Sequence, residues 1–354
     1  MQTEVNFSSK RFLLTLMLCA CSVILLQNYD MSADSSLTFQ LLCVFAGLAV
    51  CLFLFIPAII LKNRSDSDLL TLARGRSSSF SNFIAVIYSL YFLYTAAYFL
   101  LPYTDMFCKK YYSDTSPCVI SFFLIAGCVY AAFKGVNVIT RFGIFLFAFA
   151  MLTNILMCGG SLSSLNFTQN SFAFYGGSKD FLTDVNYFIT PSFIAVIFVC
   201  LSSYTHNFKI RQVVLSLLIT GIKFAAVLFF VWFAVGAYAT RQEYQTFVLS
   251  RVAHFGRFVG IESFLIGLAT MSVFMIVSLL LCCMCRGFKQ NGSLSHIIGF
   301  SAVIFMIHLF AAYNQSIADV LTNPLIFNIL NVIAAFVIPI VCMLTERRGR
   351  HEKA

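Results

Sequence analysis

Thr190, Pro191 and Ser192 stand together in an apolar stretch, residues 186–203, that reads NYFITPSFIAVIFVCLSS. Proline has no N–H to donate and clashes with the carbonyl four residues back. Within a bilayer, the groups it frees need partners in protein or in a wet cavity. Free N–H groups at the start of a half-helix suit a carboxylate, and free carbonyls suit an amine. These three residues are therefore the first candidates for contact with a small polar ligand; the alternative is a plain proline kink. Cys21 and Ser22, in the middle of an earlier short apolar run, are their counterparts. Tyr88, Tyr91, Thr95 and Tyr98 follow at helical spacing on one face, which either lines a cavity or packs on a neighbour. Lys223 is the one basic residue well inside an apolar run. Intramembrane charges usually face the bundle interior or a cavity, so Lys223 reads as a proton carrier or a stand-in for a cation, unless its stem snorkels outward. Glu262, at the start of another run, is the second candidate for ion or proton coupling, or else an interfacial charge.

The elements that must position these residues are membrane helices. Apolar residues make up 60% of the 354, charged ones 10%, and the mean hydropathy is +0.89. A soluble domain carries roughly a quarter charged residues. Strict alternation of the β-barrel kind is absent, so the spans are helical. Apolar runs at 12–27, 37–61, 80–101, 118–133, 142–160, 187–203, 213–240, 258–285, 294–313 and 320–344 predict about ten spans. The first run is read as a span, not as a cleaved leader. Spans one and six are short or interrupted and occupy equivalent places in two halves of five, the arrangement that marks a binding site in membrane proteins built from inverted repeats. The expectation is a single transmembrane domain over 1–354. Repeat one covers about 12–160 and repeat two about 187–344, with a basic tail at 345–354.

Charge fixes an expected orientation. With the N-terminus cytoplasmic, sixteen of the twenty-three basic residues fall on the inner side and six in outer loops, as the positive-inside rule requires of an even number of spans with both termini cytoplasmic. The net charge of +9 then reflects loops beside anionic lipid, not affinity for nucleic acid. Residues 63–79 read as an inner interfacial helix, 161–185 as a long outer loop that is either a lid or a connector, and 242–257 as an outer surface helix.

No ATP-binding loop, HExxH, GxSxG or paired intramembrane histidine occurs, so the sequence points away from an enzyme and from any cofactor. Most of the thirteen cysteines lie inside spans, where they act as small apolar side chains. Cys108 and Cys118 flank one outer loop, and a disulfide is open there. Cys282, Cys283 and Cys285 have no nearby histidine or carboxylate, so no metal site is expected.

Four segments carry a resemblance. SSSFSNFIAVIYSLYFLYTAAYFL at 77–100 resembles the third helix of the spore-germination receptor B-subunit family, permease-like proteins of the amino acid–polyamine–organocation superfamily. Gly135 through Arg141 keeps that family's G-x-x-x-x-x-R step. RFVGIESFLIG at 257–267 resembles its approach to span eight, and Asn323-Pro324 with Pro339 and the basic tail resembles its last span. Related permeases usually have glycines where helix one unwinds, whereas this chain has no glycine before Gly47, and it has Pro102 where a basic residue is common. The resemblance implies an all-α, five-plus-five amino-acid permease (LeuT-like) fold in which discontinuous helices one and six hold the ligand. It implies a nutrient-sensing subunit of the bacterial cell or spore inner membrane, binding an amino acid or similar small nutrient, with a larger membrane receptor subunit and a lipoprotein as partners. A stand-alone proton-coupled amino-acid permease and a degenerate scaffold that binds nothing are the two other readings.

Overall fold

The structure, a computed structural model, describes residues 7–26, 35–64, 69–76, 78–111, 114–167, 174–206, 208–242, 244–255, 258–288 and 293–351. Among these, ten helices are long and apolar enough to cross a membrane: Ser9–Leu26, Leu37–Asn63, Ser79–Lys110, Pro117–Lys134, Val136–Ser164, Ser178–Tyr204, Ile210–Val235, Glu262–Gly287, Leu294–Ala312 and Pro324–Leu344. They are spans one to ten. An even number of crossings puts Ser9 and Leu344 on the same side, here the terminal face; the opposite side is the far face.

Several boundaries differ from the hydropathy reading, each for a local reason. Spans four and five are separated by Gly135 alone, at φ +91°. That conformation suits glycine, which has no Cβ, so the whole KGVNVITR segment is helical apart from this one turn. Span three continues past Pro102 to Lys110. Span six begins at Ser178, because Asp180, Thr183, Asp184 and Asn186 lower the apolarity of a stretch that is nonetheless helical. It is therefore a full-length span with an interruption, not a short one. Span eight starts at Glu262, after an antiparallel pairing of His254–Phe255 with Phe258–Val259.

Spans one and six form the centre. In each, 83% of the apolar window is enclosed by protein, against 28% in spans four, five and nine, which therefore form the rim. Small residues allow the tightest crossings: a Cβ on Gly47 of span two would lie 2.6 Å from the Phe188 Cβ of span six, and one on Gly143 of span five 2.5 Å from the Thr15 hydroxyl of span one.

Two expected surface helices are packed inward. Leu69–Arg76 buries Leu69, Leu70 and Ala73 at the terminal face. Gln245–Val252 buries Gln245 through Ser250. Its Thr246 hydroxyl donates to the Ile24 carbonyl at 3.0 Å, so it covers the far end of span one. The described part of 161–185 packs on spans two and seven: Ser36 N–H donates to the Tyr175 carbonyl and Asn166 N–H to that of Phe233, both at 2.9 Å. Cys108 and Cys118 are free thiols, and Cys108 donates to the Thr115 carbonyl at 3.3 Å.

Candidate functional site

Span one is broken at Ser22, a single turn residue between helices Ser9–Cys21 and Val23–Leu26. In a continuous α-helix the Leu25 N–H would donate to the Cys21 carbonyl. Here it donates to the Ser22 carbonyl at 3.0 Å, which releases Cys21. The released carbonyl faces span seven, where Lys223 Nζ lies 3.4 Å away. The Cys21 thiol also meets span seven, 3.7 Å from the Thr220 hydroxyl. Ser22 turns its own hydroxyl back to the Leu18 carbonyl at 2.8 Å. Cys21 and Ser22 are thus engaged with protein groups, although they do mark the break.

Span six is broken at Thr190–Ser192, a 3₁₀ turn between helices Ser178–Ile189 and Phe193–Leu201. Pro191 cannot supply an N–H, and the Thr190 N–H closes the tighter turn onto the Tyr187 carbonyl. The thiol of Cys51, on span two, takes the carbonyls of Ile189 and Phe188 at 3.4 and 3.7 Å. The hydroxyls of Thr190 and Ser192 remain. Both residues are 0% exposed, and neither hydroxyl has a partner among the described residues.

Spans three and ten form a polar ladder beside this break. Tyr88 donates to the Ala334 carbonyl at 2.7 Å and Tyr91 to Asn331 Oδ1 at 2.6 Å. Asn331 Nδ2 donates to Asn328 Oδ1 at 3.3 Å, and Asn328 Nδ2 to Asn186 Oδ1 on span six at 3.0 Å. Thr95 donates within span three, to the Tyr91 carbonyl at 2.9 Å. Ala334 lies in a π-helical segment, Ile333–Val337, a form that recurs at functional sites. The tyrosine face therefore packs through its hydroxyls, and Asn331, which Tyr91 contacts, and Asn328, which continues the ladder to span six, were not among the sequence candidates. Two asparagines three residues apart inside an apolar run are the signal that could have found them.

A cavity of about 400 Å³ opens on the far face, lined by Tyr98, Tyr187, Asp105, Lys109, Tyr244 and Asp319 among others. Ligand pockets commonly hold about 300–1,000 Å³. Lys109 pairs with Asp105 at 3.0 Å, the Tyr244 hydroxyl donates to the same carboxylate at 2.9 Å, and Gln315 donates to Asp319 at 2.8 Å. An aromatic cluster connects Tyr98, in the cavity wall, to Phe193, next to the span-six break. Tyr98 stacks flat on Phe327 at 3.8 Å, Phe99 meets Phe193 at 4.8 Å, and Phe193 meets Phe327 at 6.4 Å.

Glu262 is apart from these groups. It pairs with Arg251 Nε at 2.6 Å on the far surface. Burial pushes the pKa of the neighbouring Tyr111 phenol up; Glu262 adds to the rise and Arg251 opposes it. The structure thus gathers Cys21, Ser22 and Lys223 at one break, Thr190, Pro191 and Ser192 at the other, and Tyr88 and Tyr91 against span ten, while Thr95 bonds within span three.

Over 98% of the chain and 94% of its own length, the fold is similar to a nucleobase-cation-symport-1 family transporter solved in a closed conformation with bromovinylhydantoin bound, at a TM-score of 0.58 and 13% identity. It is also similar to MhsT in complex with L-phenylalanine, over 97% of this chain and 98% of that one, at 0.45 and 14%. No curated protein matches the chain in sequence. The family described as "Spore germination protein" matches residues 4–320. With that match over most of its length and a five-plus-five permease fold, the chain belongs to the permease-like spore germination protein family.

Proposed function

We propose that this protein is the nutrient-sensing membrane subunit of a spore germinant receptor, and that it holds a small nutrient, an amino acid foremost, between broken spans one and six. The carrying observation is the pair of fully enclosed, unpartnered hydroxyls of Thr190 and Ser192 at the span-six break. A buried hydroxyl without a partner is costly, and a ligand that bonds to it recovers that cost. The ligand enters by the far-face cavity and reaches the break when the Tyr98–Phe327 stack parts. The polar ladder from Tyr91 to Asn186 ties spans three, six and ten together, so parting the stack is felt by all three. The terminal face is cytoplasmic, and the larger membrane subunit and the lipoprotein read out the change.

The test is a thermal-shift screen of the purified protein against amino acids, nucleosides and sugars. A true ligand raises Tm with the logarithm of its concentration above Kd. The double variant Thr190→Val, Ser192→Ala is expected to abolish that shift while folding normally. A shift that survives both substitutions moves the ligand elsewhere, and a screen without any shift favours the scaffold reading. Orientation is tested separately: Gly349→Cys in a cysteine-depleted background is expected to resist impermeant thiol reagents applied to intact cells. Co-purification with a larger membrane protein and a lipoprotein tests the partners.

A further inference from the structure

Lys223 takes no part in the nutrient site proposed above, yet it touches the other break. The Cys21 carbonyl is the last of its half-helix and has lost its Leu25 partner. It therefore concentrates the negative end of a helix dipole inside the membrane region. Released carbonyls at such ends are groups that coordinate a monovalent cation. Lys223 reaches this carbonyl at 3.4 Å from span seven, and Thr220, on the same face of that span, holds the Cys21 thiol. Among the described residues no carboxylate pairs with Lys223, and the titratable groups near it are the thiols of Cys21 and Cys158. At 3.4 Å the contact is long for a hydrogen bond, so attraction between charge and dipole holds the ammonium there.

We propose that the span-one break is a monovalent-cation site whose occupant is built into the chain: the Lys223 ammonium takes the position that a dissolved cation would otherwise fill. The inference stands independently of which nutrient binds. It follows that the wild-type break needs no free cation, and that truncating the side chain leaves a vacancy of known shape and charge. Lys223→Ala removes the atoms of a propylammonium ion, so propylammonium is the probe.

The experiment measures Tm of purified Lys223→Ala, Lys223→Met and wild type in propylammonium chloride, with sodium chloride and sodium chloride plus propanol as controls at equal ionic strength. Propylammonium is expected to raise Tm of Lys223→Ala by about 2 °C or more, saturating with concentration. Wild type and Lys223→Met, whose stems fill the space, are expected not to respond. The proposal is overturned if propylammonium leaves folded Lys223→Ala unmoved, if propanol does as well, or if wild type responds equally. Lys223→Ser is read by the same criteria should the alanine variant not fold. No nutrient enters this readout, so its failure is separate from a failure of the nutrient site.

Discussion

Thr190 and Ser192 are ordinary core residues in every respect but their hydroxyls, which bond to nothing among the described residues. Replacing an unpaired buried hydroxyl by an apolar group of like shape removes a penalty of about 1 kcal/mol or more. Thr190→Val is therefore expected to hold or raise Tm in the absence of nutrient and to weaken the response to it; a fall in Tm shows that the hydroxyl was bonded. The opposite sign is expected where the bonds are made. Tyr91→Phe breaks one step of the ladder that runs to Asn186, and Asn331→Leu breaks two, its bonds to Tyr91 and to Asn328. Hydrogen bonds between membrane helices average about 0.6 kcal/mol and reach about 1.7 kcal/mol. A double-mutant cycle on this pair is expected to give a coupling of about 1 kcal/mol, read from unfolding of the purified protein. A coupling near zero means the two side chains do not act together. Pro191 exposed one break in the sequence, because a missing N–H is legible without coordinates. Ser22 exposed the other only by its place in the chain, since no glycine or proline marks it. Asn328 and Asn331 were visible as polar letters, but their partners, more than a hundred residues away, were not.

Spans behave differently from the letters within them. Hydropathy located all ten, because a helix that crosses a bilayer must be apolar over about twenty residues. It misplaced the start of span six, where Asp180, Asp184 and Asn186 belong to a helix that continues toward the far face. It also left Gln245–Val252 on the surface, whereas Thr246 caps the Ile24 carbonyl and Tyr244 reaches Asp105. Thr246, Tyr244 and Asn186 bond to protein groups of other spans, and composition cannot distinguish such partners from water. Close crossings are equally silent in composition. At Gly47 of span two an added Cβ meets not only the Phe188 side chain but its carbonyl carbon, at 2.8 Å. Backbone cannot step aside as a side-chain tip can, so Gly47→Ala must push span two off the broken span. A core overpacked in this way loses about 1–3 kcal/mol. The expected result is a lower Tm together with freer reaction of the Cys51 thiol, which now takes the Ile189 carbonyl. An unchanged Tm with Cys51 still protected would mean that the crossing is looser than its geometry.

The two faces of the molecule are unequal. The far face opens into the cavity above Tyr98 and Tyr187, while the terminal face is tied across the two broken spans. Phe7–Ser8, leading into span one, pairs in parallel with Thr205–His206, leaving span six, with Ser8 opposite His206. Ser9 donates to Gln212 at 3.1 Å. Arg286, at the end of span eight, donates to Ser203 and lies over the Tyr204 ring at 4.0 Å. A two-residue ladder is weak in isolation, so it can close this face without making closure permanent. In a mechanism where nutrient binding rearranges spans one and six, this ladder is the contact that must part. Paired residues on neighbouring strands lie about 4.8 Å apart, within the range of about 4.4–6.8 Å that a disulfide bridges between Cα atoms. Ser8→Cys with His206→Cys, in a cysteine-depleted background, is therefore expected to cross-link readily under mild oxidation. The cross-linked protein should still admit an impermeant thiol reagent to Asp319→Cys at the cavity mouth, and spores carrying it should fail to respond to nutrient until the bond is reduced. If the cross-linked protein responds like the reduced one, the terminal face stays shut throughout the response, and the movement belongs to the far face, at the Tyr98–Phe327 stack.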